Sequence, residues 1–265
     1  ITASAFAGPE AEYKKLSKAY TLNADGSQEF RYNMELTLFT HTAMNGTYGE
    51  SFIVYNPQYQ ELKINSSYTK QKDGNIVKTP DNAFPRTAAD APAYNHLKEM
   101  VVVHTGLELG ATIYLDYTLT SKPGYLPELD IYNELLQTSP VKEYTISLSA
   151  PESKPLSYTL QYNNAKPAVI KTVTWKLQNL PASSRDPFVS AANGDVPFLI
   201  ATTYASNGDA LKALYAQFTP ASDVQLTAIA ENLTEGKKND TEKLQAILKH
   251  GKPGLQSPFV AGCRI

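Results

Sequence analysis

The chain has 265 residues, 42% of them hydrophobic, enough for one large domain or two ordinary ones with a real core. A formal net charge of -2 excludes a large basic field for nucleic acid, and no apolar run nears the ~18 residues a membrane-spanning helix needs. The single cysteine, Cys263, can form no internal disulfide and excludes a multi-cysteine zinc site.

In chain order, the opening "ITASAFAGPE" lacks the basic leader and long apolar stretch of a signal peptide, and fits the start of an already processed chain. Up to about residue 203 the dominant period is two. Phe30, Tyr32, Met34, Leu36 and Leu38 alternate with mostly polar residues, as in a strand with one face in a core. Ile113, Leu115, Tyr117 and Leu119 repeat the pattern, followed by Tyr144, Ile146 and Leu148, and by Tyr158, Leu160 and Tyr162. Asp25-Gly26, Asn45-Gly46 and Asp73-Gly74 predict tight hairpin turns, because these residues tolerate positive φ. "ELGA" (108–111) joins the "MVVVH" strand to the "TIYLDYTL" strand, and 82–95 and 119–130 are predicted as long surface loops. Val173, Trp175 and Leu177 share one side of a strand, which places the only tryptophan in the core rather than on a stacking platform.

From about residue 206 the period becomes helical. Leu211, Leu214, Tyr215 and Phe218 fall at i, i+3, i+4 and i+7, with Asp209 as N-cap. A second helix starts from a capping box at Ser222 and Gln225, carries Leu226, Ile229 and Leu233, and stops at Gly236. A third runs from Asp240 as cap to Lys249 and His250, whose charges suit the helix dipole. The expectation is a mainly β protein: an antiparallel β-sandwich over 1–204, followed by a short α-helical segment over 205–265.

Three stretches, "YTLNADGSQEFRYNMELTL", "GESFIVYNPQYQELKINSSYTKQKDGNIV" and "EMVVVHTGLELGATIYLDYTL", taken in order and spacing, resemble a bacterial domain of unknown function. That domain lies N-terminal to transglutaminase-like cores in envelope proteins, notably of Bacteroidetes. "VTWKLQNLPASSRDPF" and "VPFLIATTY" are similar to its closing segment, so the resemblance covers about residues 12 to 204. The tail "LTAIAENLTEGKKNDTEKLQAILKH" resembles the opening helices of the transglutaminase-like domain. The resemblance implies a β-sandwich followed by the start of a papain-like fold, in a periplasmic or extracellular setting.

That fold works through a cysteine thiolate, a histidine base and an acid; in the family the cysteine comes first and starts a helix. Here Cys263 is followed only by Arg264 and Ile265, and His41, His96, His104 and His250 all precede it. A triad in the family's order cannot be built from this sequence, and Cys263 is expected to be an exposed thiol near a terminus. His104 is predicted as a strand-end polar residue and His250 as a helix C-terminal charge. The four histidines have no ligand spacing for a metal, and the Asp-Gly turns lack the calcium-loop pattern. "KKLSK" and "EGKKND" are expected to be solvated charges. Asn45, Asn65, Asn232 and Asn239 fit the glycosylation sequon but are predicted as turn and cap residues. No catalytic, metal or cofactor residue is assigned.

Three functions follow. The first is a non-catalytic accessory module that packs against or positions a transglutaminase-like or peptidase-like domain. The second is a glycan- or peptide-binding sandwich, suggested by the seventeen tyrosines and the polar loops. The third is a fragment of a cysteine peptidase or acyltransferase. Long loops and an exposed sheet edge are the expected contact sites.

Overall fold

The computed structural model describes residues 8–79, 84–87, 96–183, 196–216 and 224–251. The chain divides into two compact units, Ile1–Ala205 and Ser206–Ile265. In the first, the strands follow in chain order as β1 (Ala11–Leu22), β2 (Gln28–Leu38), β3 (Glu50–Tyr55), β4 (Gln60–Lys70), β5 (Ile76–Lys78), β6 (Phe84–Thr87) and β7 (Lys98–Val103). After these come β8 (Thr112–Ser121), β9 (Asp130–Glu134), β10 (Val141–Ser149), β11 (Ser157–Gln161), β12 (Ala168–Val169), β13 (Val173–Leu180) and β14 (Phe198–Thr202).

They form one eight-stranded sheet, ordered β12-β13-β10-β1-β2-β8-β4-β5, and two three-stranded sheets, β11-β14-β9 and β3-β7-β6. The mainly β class is as predicted, and among the described residues every pairing but one is antiparallel. The exception is β1 with β10, which run parallel. More than a hundred residues separate them, so the crossover that parallel strands require is available.

The predicted alternation holds. Met34, Leu36 and Leu38 of β2, Ile113, Leu115 and Leu119 of β8, and Tyr144, Ile146 and Leu148 of β10 are buried. So are Val173, Trp175 and Leu177 of β13, with Trp175 only 1% exposed and its ring nearly perpendicular to that of Tyr158. Ile53 and Val102 from one small sheet, and Ile131, Leu199 and Ala201 from the other, join the same core as the large sheet's side chains. Both small sheets therefore seal against one apolar face, the solution expected when each sheet has a single apolar side.

Two of the three predicted turns close hairpins. Gly26 (φ 83°) ends the β1–β2 turn and Gly74 (φ 92°) the β4–β5 turn. In each, the aspartate accepts the backbone N–H two residues on, Ser27 to Asp25 and Asn75 to Asp73, both at 2.9 Å. Asn45-Gly46 does not: it lies in a wide helical turn, Ala43–Thr47, anchored by buried Ala43. "ELGA" links strands of different sheets, because β7 pairs with β3 and β6, not with β8. Of the two predicted loops, 119–121 is still β8, and Phe84–Thr87 is an edge strand on β7; the rest of 82–95 lies outside the described residues.

Gly106 holds the segment after β7 against the large sheet. Its φ is +71°, its carbonyl accepts from Gln71 Nε2 at 3.1 Å, and a Cβ there would sit 2.7 Å from Val77 Cβ. Gly106→Ala is expected to lower stability by about 2 kcal/mol through strain and overpacking together, read as a fall in urea midpoint at constant m-value.

The second unit holds α1 (Asn207–Ala216), α2 (Val224–Thr234) and α3 (Asp240–Gly251). Two predicted caps move by one to three residues. Ser206, not Asp209, caps α1: its Oγ accepts from Asp209 N at 3.2 Å and donates to Asp209 Oδ2 at 2.7 Å. Asn239, not Asp240, caps α3: its Oδ1 accepts from Glu242 N at 2.9 Å while Glu242 reaches back to Lys238 N, a capping box. Gly236, at φ 73°, follows α2 as predicted. The box at Ser222 and Gln225, and Phe218, fall outside the described residues or side chains. Leu211, Leu214 and Tyr215 of α1, Ile229 of α2, and Leu244, Ile247 and Leu248 of α3 are exposed.

Candidate functional site

The first unit contains one nucleophile–base geometry. Ser51 stands on β3 opposite Val102, and His104 follows β7 directly, its backbone N–H bonded to Gly49 O at 2.9 Å. This register brings Ser51 Oγ within 2.8 Å of His104 Nε2. The ring is 5% exposed, and its Nδ1 has no hydrogen-bond partner among the described residues. Burial lowers the imidazole pKa to about 4. A serine hydrolase needs a base that is competent near neutrality and an acid on Nδ1 to orient it and stabilise its charged form. Here the base is too weak and the acid is missing among the described residues. What the pair does is tie β3 to the segment beyond β7. His104 was predicted only as a strand-end polar group; Ser51, 53 residues earlier, gave no local signal.

A second constellation crosses the sandwich. Lys18 on β1 donates to Asn133 Oδ1 on β9 at 2.8 Å, and Asn133 Nδ2 donates to the Tyr144 hydroxyl on β10 at 3.1 Å. The ammonium also lies 5.9 Å from the Tyr144 ring centroid. Burial lowers the Lys18 pKa to about 8, opposed by the charge of Glu134. Of "KKLSK", which lies in β1, Lys14 and Lys15 keep solvent-exposed side chains as expected, but the register shift between Tyr13 and Lys15 turns Lys18 inward.

On the opposite face of the large sheet, Asp116 of β8 accepts from Arg31 Nε and Nη2 at 3.1 and 2.7 Å, from Asn33 Nδ2 at 3.2 Å and from Asn65 Nδ2 at 2.8 Å. Asn65 reaches it because a β-bulge between Ile64 and Ser66 redirects that side chain. It is therefore a bulge residue, not a turn. Burial alone would raise the Asp116 pKa; the Arg31, Asn65 and Asn33 hydrogen bonds outweigh it and hold the carboxyl below its usual value. With its acceptor sites filled this way, Asp116 is poorly placed to act as a base.

Among the described residues, eight tyrosines pair with one another. Tyr59 stacks on Tyr125 at 4.8 Å and 3°, and Tyr68 on Tyr114 at 4.6 Å and 11°. One face of each ring is spent on its partner. Tyr132 on β9 is more open, 56% exposed beside Phe198 of β14.

The remaining sequence-singled residues do not converge. His41 and His96 are exposed, the His250 side chain and Cys263 lie outside the described residues, and Asn45, Asn232 and Asn239 fall in the helical turn, in α2 and at the α3 cap. Among the described residues, no three His, Cys, Asp or Glu side chains gather in a way that could hold a metal ion, and no helix is long and apolar enough to cross a membrane.

The family described as a domain of unknown function with solved structure (DUF3857) matches residues 24–184, from the β1–β2 turn to just past β13. The chain belongs to this family. Among solved structures it is similar to a "putative protease" from Parabacteroides distasonis, at 56% identity and a TM-score of 0.83 over 93% of this chain and 50% of that one. This DUF3857 chain therefore spans half the length of that relative. It also overlays on native leukotriene A4 hydrolase from Saccharomyces cerevisiae over 76% of this chain and 31% of that one, at 8% identity and a TM-score of 0.37, a likeness too slight to bear on fold or function. No curated protein matches.

Proposed function

We propose that this DUF3857 sandwich is a non-catalytic accessory module of an envelope protein of peptidase-like, transglutaminase-like type, and that it packs against or positions the catalytic part. The supporting observation is the Parabacteroides relative: 56% identity over nearly all of this chain, within a protein twice as long that carries a protease name. The side-chain chemistry agrees. Ser51–His104 is a pair with a weak base and no described acid, and the apolar faces that could have walled a reaction cleft are closed in one core.

The test is hydrolysis of a casein and peptide panel by this chain and by the full-length gene product that carries it. This chain is expected to show no turnover, and Ser51→Ala in the full-length protein is expected to leave kcat/KM within about twofold of wild type, since a group outside the chemistry contributes nothing to the transition state. Turnover by this chain that Ser51→Ala abolishes would overturn the accessory role.

A further inference from the structure

An edge strand is held from one side only, so it is among the first parts of a sheet to open. β3 is such a strand: among the described residues its only ladder partner is β7. Its grip on the core is also slight. Alternation turns Ser51, Ile53 and Tyr55 inward, yet only Ile53 is fully buried; Phe52 and Val54, on the other side, are 50% and 49% exposed. β2, by contrast, is paired on both sides and buries Met34, Leu36 and Leu38.

What supplements this grip is the bond between Ser51 and the buried His104 ring. The arrangement suits a neutral ring. A protonated ring carries an N–H on Nδ1 as well, and no described group accepts from it. Nor does a carboxylate stand by to balance the charge. Glu50 is exposed and alternates with Ser51 to the outer side of β3, the Glu108 carboxylate accepts from Lys72 N, and Glu99 of β7 is paired with Arg86. Lys98 lies at the far end of β7, and the Tyr48 hydroxyl is taken up by Thr138 and Ser139. Burial alone lowers the ring's pKa to about 4; no neighbouring charge contributes. Thr105 Oγ1, next in the chain, is a second buried atom without a partner among the described residues. A charged ring is therefore driven towards water.

We propose that His104 is an acid-sensitive latch on β3: when its ring takes up a proton it swings out from beneath the strand, and β3 parts from β7 while the large sheet stays folded. Parting bares one ladder edge of β7, which stays paired with β6 on its other side. In the opened form the ring has its ordinary value near 6.5. Between 6.5 and about 4, each unit fall in pH then raises the opened fraction about tenfold. The latch belongs to the sandwich itself and holds whatever part of a longer protein the sandwich serves.

The experiment is amide hydrogen exchange of this chain from about pH 7.5 to 4, corrected for the intrinsic rate. The β3 amides bonded to β7 are expected to be at least tenfold less protected than those of β2 at each pH. They should lose protection about tenfold per unit between 6.5 and 4. A low urea concentration should speed exchange in β2 and leave β3 unchanged, because local opening exposes little surface. In His104→Gln the β3 slope is expected to vanish. Ser51→Ala keeps the titrating ring; it should lower β3 protection about fivefold at neutral pH, the effect of one hydrogen bond, and keep the slope. One protection factor shared by β3 and β2 overturns the latch, as does β3 protection that ignores pH or a slope that survives in His104→Gln. If that variant does not fold, undiminished β3 protection in Ser51→Ala overturns it instead.

Discussion

Trp175→Ala is expected to destabilise the sandwich by about 3–5 kcal/mol, the range for removing a large aromatic from a core that cannot collapse around the gap. The indole is 1% exposed. It stands opposite Ile146 of β10, between Val173 and Leu177 on its own strand, with the Tyr158 ring at 5.3 Å and 83° to it. These neighbours belong to three strands in two sheets, so no single side-chain shift can fill the space. Since domains of this kind have only about 5–15 kcal/mol in hand, much of the stability should go. Urea unfolding would show it as a large fall in midpoint. Tyr132→Ser is the matching control, expected to stay within about 0.5 kcal/mol in this chain because its ring is largely in water. A loss below about 1 kcal/mol for Trp175→Ala would mean that the tryptophan does not seal the two sheets.

Acid should weaken the fold well before the carboxylates titrate. His104 is neutral in the native state, with its pKa lowered from 6.5 to about 4 by burial. Unfolded, it takes up a proton near 6.5. Between these values the unfolded chain binds more protons than the native one, so stability rises with pH. The contribution is complete above pH 6.5 and is lost as the pH falls towards 4. A gap of 6.5 to about 4 corresponds to roughly 3 kcal/mol. Burying a charge explains the direction: a protonated ring would need an acceptor on Nδ1, and the described residues provide none. Urea midpoints at pH 7.5, 6, 5 and 4 for wild type and His104→Gln would isolate this group from the carboxylates common to both. Parallel curves would show that His104 does not titrate with unfolding. Asp116 acts in the same direction but at lower pH: its native pKa is lowered, so its contribution is present above its ordinary range and goes only as the pH falls through that lowered value.

The sequence carried no comparable sign of the polar constellations. Ser51 meets His104 across 53 positions, Lys18 meets Asn133 across 115, and Arg31 meets Asp116 across 85. Each depends on strand register and sheet order, which local patterns do not encode. Asn65 is the sharpest case: in the sequence it is a polar residue in a sequon, and only the bulge against β8 turns it onto Asp116. The misplaced caps have a nearer cause. Ser206 and Asn239 lie close to Asp209 and Asp240, and a cap is defined by which side chain reaches the free N–H groups, a matter of geometry rather than residue type.

By itself the sequence determined the mainly β class, the faces of β2, β8, β10 and β13, the two Asp-Gly hairpins, the burial of Trp175 and the helical tail. These are properties of neighbours along the chain, where a period of two or of 3.6 decides which side chains share a side. Tertiary structure alone decided that β1 and β10 run parallel, that β3 and β7 leave the large sheet, that Lys18 points inward, and that Tyr132, Phe198 and Ile200 meet on an outer face. The reason is physical: alternation says which residues want a partner surface, but the entropy of closing long loops and the fit of whole sheets choose which surface they get.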